Sequence, residues 1–146
     1  MSVAPLEGST PPSHALTMAE TTAGREYFEK DAFARELGIE LLEVGPGTSR
    51  VRLPTSSRRS NGLGTTHGAV IFALADVAFA VACNSHDQRA IGVQANIAYL
   101  AAAGDGAIEA RATEISRGRK LATYDVRIVD AEERLVAAFQ GTAYLR

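Results

Sequence analysis

Residues 67–84 read HGAVIFALADVAFAVACN, and the fold follows from how this stretch is read. From Ala69 to Cys83 the chain is apolar on every side of a helix except at Asp76. A helix of that kind has to be buried in something. Gly68 opens the run and Asn84-Ser85-His86-Asp87 closes it. It falls short of the roughly 20 apolar residues that span a bilayer, so a membrane role is not expected. The covering must come from the rest of the chain.

Downstream, the hydrophobic period switches from helical to two. Ile91, Val93, Ala95, Ile97 and Tyr99 alternate with Gly92, Gln94, Asn96 and Ala98. Ile108, Ala110 and Ala112 follow a Gly104-Asp105-Gly106 turn, and Ala122, Tyr124, Val126 and Ile128 follow Ser116-Arg117-Gly118-Arg119. A last strand runs from Leu135 to Tyr144. Successive strands with short turns predict an antiparallel meander with one buried face.

Upstream, Ile39–Val44 and Thr48–Leu53 flank Gly45-Pro46-Gly47 and predict a β-hairpin. The segment 54–64 is polar and turn-rich, hence a loop. Phe28, Ala32, Phe33 and Leu37 recur at helical spacing, so a helix is expected over Glu26–Leu37, stopped by Gly38. Residues 1–24, rich in Ser, Thr, Pro, Gly and Ala, read as a disordered leader before a single domain at 25–146. The fold class is therefore α+β, with an antiparallel sheet wrapped around one long apolar helix.

Composition narrows the function. The 146 residues are 46% hydrophobic and 22% charged, with a net charge of -2, so no overall field draws the protein to nucleic acid or anionic lipid. A lone cysteine, Cys83, forbids an intrachain disulfide and a Cys-based zinc site; it fits a reducing cytoplasm and a core position. His14, His67 and His86 are dispersed, so no metal site is expected. Neither a basic-then-apolar signal segment nor a G-x-S-x-G, Walker or H-E-x-x-H motif is present.

What remains is Asp76. A carboxylate in an apolar helix is expensive to bury unless paired or used. It is a structural Asp with hydrogen bonds, one facing a solvated seam between subunits, or a catalytic group, since perturbed carboxylates gather at functional sites. Gly68 adds a second element. The first N–H groups of a helix lack internal partners, and Gly68 and Ala69 leave them bare, so they could stabilise an oxyanion; Gly68 could equally ease a tight turn. Asn61 could bind a substrate carbonyl or water, or form the turn that Asn-Gly commonly forms. His67 could polarise a carbonyl or act as a base, or fix the loop through a backbone hydrogen bond with a neutral ring, its commoner use. Of the scattered cations Arg58, Arg59, Arg89, Arg117, Arg119 and Lys120, the Arg117-Gly118-Arg119-Lys120 group at a hairpin tip is densest and could meet nucleotide phosphates.

One constraint follows from helix geometry. Gly68 and Asp76 lie about 12 Å apart along one axis, too far to serve a single carbonyl. Should they share a site, it must be built from two chains, as in a two-fold dimer.

Asn61, then His67-Gly68-Ala69-Val70-Ile71-Phe72-Ala73-Leu74-Ala75-Asp76, then Asn84-Ser85, resemble the phenylacetic acid degradation family of hotdog thioesterases. Ile97-Ala98-Tyr99-Leu100, Gly104-Asp105, Gly118-Arg119, Tyr124-Asp125-Val126 and Gly141-Thr142 extend the resemblance over residues 26–146. The resemblance implies a sheet wrapped round the long helix, dimers with a continuous sheet, and dimers of dimers (a homotetramer). It implies Asp76 as general base or nucleophile, the Gly68 amide polarising a thioester carbonyl, and Asn61 positioning substrate or water. The implied reaction is hydrolysis of aryl-acetyl or other acyl-CoA thioesters, with CoA part of the substrate and no further cofactor. Two positions depart from the pattern: Ala69 stands where a second Gly is common, and Val77 where a Thr often follows the Asp. A hotdog hydratase and a non-catalytic acyl-CoA binder are the rival readings.

Overall fold

The computed structural model describes residues 18–146. Two short helices come first: α1 (Met18–Lys30) and α2 (Ala32–Leu37). The helix expected over Glu26–Leu37 is thus broken. Asp31 breaks it, because its carboxylate accepts from the Ala34 N–H at 2.9 Å and caps a new helix. Gly38 ends α2 at φ 80°, its N–H returning to the Ala34 and Arg35 carbonyls. α1 starts at Met18, within the segment 1–24 read as a leader. The rest of the predicted leader, residues 1–17, lies outside the described residues.

The hairpin forms as read, with β1 (Glu40–Gly45) and β2 (Thr48–Pro54) antiparallel. Gly47 takes φ 69°, a conformation in which side chains are rare, and an added Cβ would lie 2.9 Å from Glu114. After a 3-10 turn at Ser57–Arg59 comes the long helix α3 (Gly68–Cys83), then β3 (Ala90–Tyr99), β4 (Ala107–Arg117), β5 (Leu121–Val129) and β6 (Leu135–Leu145).

These strands form one antiparallel sheet in the order β1-β2-β4-β5-β6-β3. The meander therefore covers only β4 to β6. β3 does not pair with β4 but lies on the far edge beside β6. The link 100–106 allows this: it can reach about 23 Å, while three strand spacings need only about 14 Å. Such a link need not close a hairpin, and β4 is instead taken by β2, from Thr48↔Thr113 to Pro54↔Ala107.

The sheet curls round α3. Leu74, Ala75, Ala78, Phe79, Val81 and Ala82 are buried against Val51, Ile108, Tyr124, Val126 and Phe139 among others. Phe79 fits against the sheet because two strands carry no side chain there: a Cβ on Gly92 or on Gly141 would come within 2.9 Å of its ring. The Phe79 ring meets Tyr124 and Phe139 at centroid distances of 5.6 and 5.8 Å. No helix among the described residues is long and apolar enough to cross a membrane.

Candidate active site

One stripe of α3 escapes the sheet. Ala69 and Asp76 are exposed and Phe72, Ala73 and Ala80 half-buried, at the three- and four-residue steps that define one helix face. Asp76 is therefore not locked inside the chain. No hydrogen bond or ion pair among the described residues engages its carboxylate, so the structural reading lacks the partners it needs. Although exposed, Asp76 is partly shielded from water by the surrounding chain, and that desolvation raises its pKa above the ordinary aspartate value, with the charge of Asp31 adding to the shift. The Ala69 methyl points into the open, whereas Val77 is 4% exposed and faces the core, away from the stripe.

The start of α3 shows which donor is left over. A helix begins with four N–H groups that have no internal partner. Here the N-cap His67 N–H donates to the Arg59 carbonyl at 2.7 Å, Ala69 to His67 Nδ1 at 3.0 Å, and Val70 to the His67 carbonyl at 3.0 Å; that carbonyl also accepts the first regular helix bond from Ile71. Gly68 N–H alone finds no acceptor among the described residues. His67 is thus the helix N-cap, and an Nδ1 that accepts a hydrogen bond belongs to a neutral ring with its proton on Nε2. The capping use of this histidine prevails over an acid-base use of Nδ1.

Asn61 serves its own loop. Its Oδ1 accepts from Leu63 N–H at 2.9 Å and Thr65 N–H at 3.2 Å, while Nδ2 donates to Thr65 Oγ1 at 2.9 Å. The second Nδ2 hydrogen is not used in these contacts. Asn61 and Gly68 line one cleft of about 430 Å³ together with Thr66, Ile71, Tyr99 and Leu100. Asp76 does not line it, as the spacing on one helix required.

The basic hairpin tip divides. Arg117 turns inward: its Nη2 donates to Gln88 Oε1 at 3.1 Å and its Nη1 lies 3.5 Å from Glu114 Oε2. Arg117 is therefore not at the tip with Arg119 and Lys120, which remain exposed, Lys120 lying 5.7 Å from the Tyr144 ring centre. Among the described residues no group of His, Cys, Asp and Glu could hold a metal ion. Cys83 is buried and its thiol pushed up to about 12, chiefly by burial, which leaves it inert as a nucleophile.

The thioesterase superfamily profile matches residues 63–137, which include Gly68, Asp76 and Tyr99. The chain belongs to the thioesterase superfamily. This thioesterase is 34% identical over 119 residues to the acyl-coenzyme A thioesterase PaaI of Escherichia coli, covering 80% of this chain and 84% of the relative. The solved structure of the E. coli PaaI protein from the phenylacetic acid degradation operon superposes with a TM-score of 0.86 at 30% identity, covering 90% of this chain and 96% of that one. A variant of the phenylacetic acid degradation protein PaaI from Thermus thermophilus superposes with a TM-score of 0.74 at 37% identity, over 78% of this chain and 98% of that one. The thioesterase is thus a PaaI homologue with the hotdog fold expected from its sequence, and a thioester hydrolase.

Proposed function

We propose that this thioesterase hydrolyses an acyl-CoA to the free acid and coenzyme A, in a site that Asp76 of one chain shares with Gly68 of a second. The observation that carries the proposal is the pairing of opposites on α3: a carboxylate and an amide N–H, each without a partner among the described residues, about 12 Å apart along one helix. Neither can serve the other's substrate within one chain. An antiparallel neighbour brings each to the other's counterpart and gives two equal sites per dimer.

The edge of the sheet supports that neighbour. Among the described residues β3 pairs only with β6, and Ile91, Val93, Tyr99 and Leu100 on or beside it are exposed. Unpaired strand edges with apolar side chains are normally covered. A second copy pairing β3 to β3 would continue the sheet, and two such dimers would form the homotetramer.

In the reaction, the Asp76 carboxylate takes a proton from water as the water oxygen bonds to the thioester carbonyl carbon. The carbonyl electrons move to the oxygen, which the Gly68 N–H holds. Collapse of that intermediate breaks the C–S bond, and CoA leaves as the thiolate and takes up a proton. Asp76 as direct nucleophile would give the same products through an acyl-enzyme anhydride. Asn61 positions the substrate or the water, and Arg119 and Lys120 contribute to holding CoA phosphates. The PaaI likeness favours aryl-acetyl acyl groups.

The test is thiol release across aromatic, short and long acyl-CoAs, wild type against Asp76→Ala. Release by the wild type, greatest with an aryl-acetyl substrate and lost in the variant, is expected. Tight CoA binding with no thiol from any substrate would leave a binding protein instead.

A further inference from the structure

Tyr99 sits at the end of β3, where the sequence places it in an alternating strand and among the residues of the family resemblance but assigns it no role. Its hydroxyl donates to the Gly68 carbonyl at 3.0 Å. The peptide unit linking Gly68 to Ala69 is consequently held at both ends: Tyr99 at the carbonyl oxygen, and His67 Nδ1 at the Ala69 N–H, 3.0 Å away. A peptide unit is planar, so the two contacts fix the Gly68–Ala69 plane. The Gly68 N–H lies in the preceding unit, whose His67 carbonyl is held by Val70 and Ile71 and which joins the clamped plane at the Gly68 Cα. The Tyr99 ring also covers Gly68 closely, since a Cβ there would lie 3.2 Å from ring Cζ. Tyr99 and Gly68 meet in the same cleft as Asn61.

We infer that Tyr99 is a positioning residue for the thioesterase reaction, aiming the Gly68 N–H by clamping the following peptide unit against the His67 cap. This rests on the oxyanion role given to Gly68 above. Tyr99 touches no reacting atom in this scheme. Its effect arises because a preorganised donor works only where the oxyanion forms, and a donor free to swing has to be ordered during the reaction. The clamp also accounts for Ala69 at a position where glycine is common: its N–H is already used by His67, and its methyl lies outside the cleft.

Tyr99→Phe removes the hydroxyl and keeps the ring. The expected result is a fall in kcat of about tenfold with KM little changed, a part of the roughly 100-fold or more that follows deletion of an oxyanion donor. In a Gly68→Pro background, which has no N–H to aim, Tyr99→Phe should cost nothing further. An equal loss in both backgrounds, a change in KM alone, or wild-type kcat in Tyr99→Phe would overturn the inference. The Gly68 amide resonance of protein labelled with 15N-glycine gives a readout independent of turnover: it should shift in Tyr99→Phe, and an unmoved resonance would likewise overturn the clamp. Should the wild type release no thiol from any acyl-CoA, the hydrolase reading fails by itself, and the resonance still decides the clamp.

Discussion

At its C-terminal end α3 runs into Asn84 and Ser85, and there nearly every polar group has a partner. Asn84 Nδ2 donates to the Ala80 and Ala90 carbonyls at 3.0 and 3.1 Å, and its Oδ1 accepts from Ala90 N–H at 3.0 Å. Ser85, fully buried, accepts from Gly47 N–H and donates to the Ala82 carbonyl, both at 2.7 Å. Glu114 accepts from Tyr124 at 2.5 Å and lies 2.9 Å from His86 Nε2. The one shortfall is Arg117 Nη1, held near Glu114 without hydrogen-bond geometry. Towards the other end, Asp76 and the Gly68 N–H have no partner among the described residues. Both regions concentrate polar atoms on an apolar helix. The contrast teaches that the presence of polar groups does not mark a site; groups left without partners, in reach of substrate, do.

Several substitutions can break or sharpen that contrast. Asp76→Asn should lower kcat by about 10² to 10⁴, the usual range for a general base. It should also leave thermal stability equal or higher. Burial raises the Asp76 pKa, so the ionised form opposes folding once the pH exceeds that raised value, and the amide carries no such cost. For the same reason the acid limb of kcat/KM in the wild type should lie above the ordinary aspartate value of about 3.9. A limb at or below that value would mean that the rate-controlling group is not a desolvated carboxylate.

Gly68→Pro comes next in size. Proline is well suited to the first position of a helix, and His67 already has the extended backbone that a residue before proline needs, φ -62° and ψ 135°. The substitution deletes the N–H at small conformational cost, although its ring carbons crowd Tyr99. A loss of about 100-fold or more in kcat is expected with the fold retained, as circular dichroism and thermal unfolding would show. Near wild-type turnover would remove this amide from the reaction.

At the satisfied end the outcome should be reversed. Burial pushes the Glu114 carboxyl up, but the hydrogen bonds from Tyr124 and His86 outweigh it and hold the pKa below the ordinary glutamate value. A depressed carboxylate stabilises the fold above its unfolded pKa and loses that contribution as the pH falls through the folded value. Glu114→Gln should therefore cost about 1–3 kcal/mol of stability near neutrality, read in a denaturant titration, while kcat per folded molecule stays near wild type. A large fall in kcat with full stability would show that the two ends do not divide the labour in this way.

The sequence displayed Asp76 because a charge in an apolar helix is costly unless it is paired, solvated or used, and it displayed β4, β5 and β6 because one buried face imposes a period of two. It could not display the order of the strands. Alternation does not show which strand is the neighbour, so β3 read as part of the meander with one buried face, although it lies beside β6 with residues of both faces exposed. The Tyr99–Gly68 contact was hidden for the same reason: it joins the end of β3 to the start of α3, and no local pattern records that meeting. The helix break at Asp31 was not foreseen because the apolar spacing of Phe28, Ala32, Phe33 and Leu37 runs across it, and only the carboxylate's bond from the Ala34 N–H reveals the cap. The inward turn of Arg117 likewise depends on Gln88 and Glu114, two partners distant from one another in the chain.

The central claim, that Asp76 and Gly68 act across two chains, is tested most directly by mixing them. Asp76→Ala and Gly68→Pro chains, each nearly inactive alone, are co-expressed so that mixed dimers form. In a mixed dimer one site contains both defects and the other neither. Random pairing should restore about one quarter of wild-type turnover, since half the dimers are mixed and half their sites intact. Mixed dimers that assemble, as shown by differently tagged chains, yet stay as inactive as their parents would contradict the account, because both groups would then have to come from the same chain.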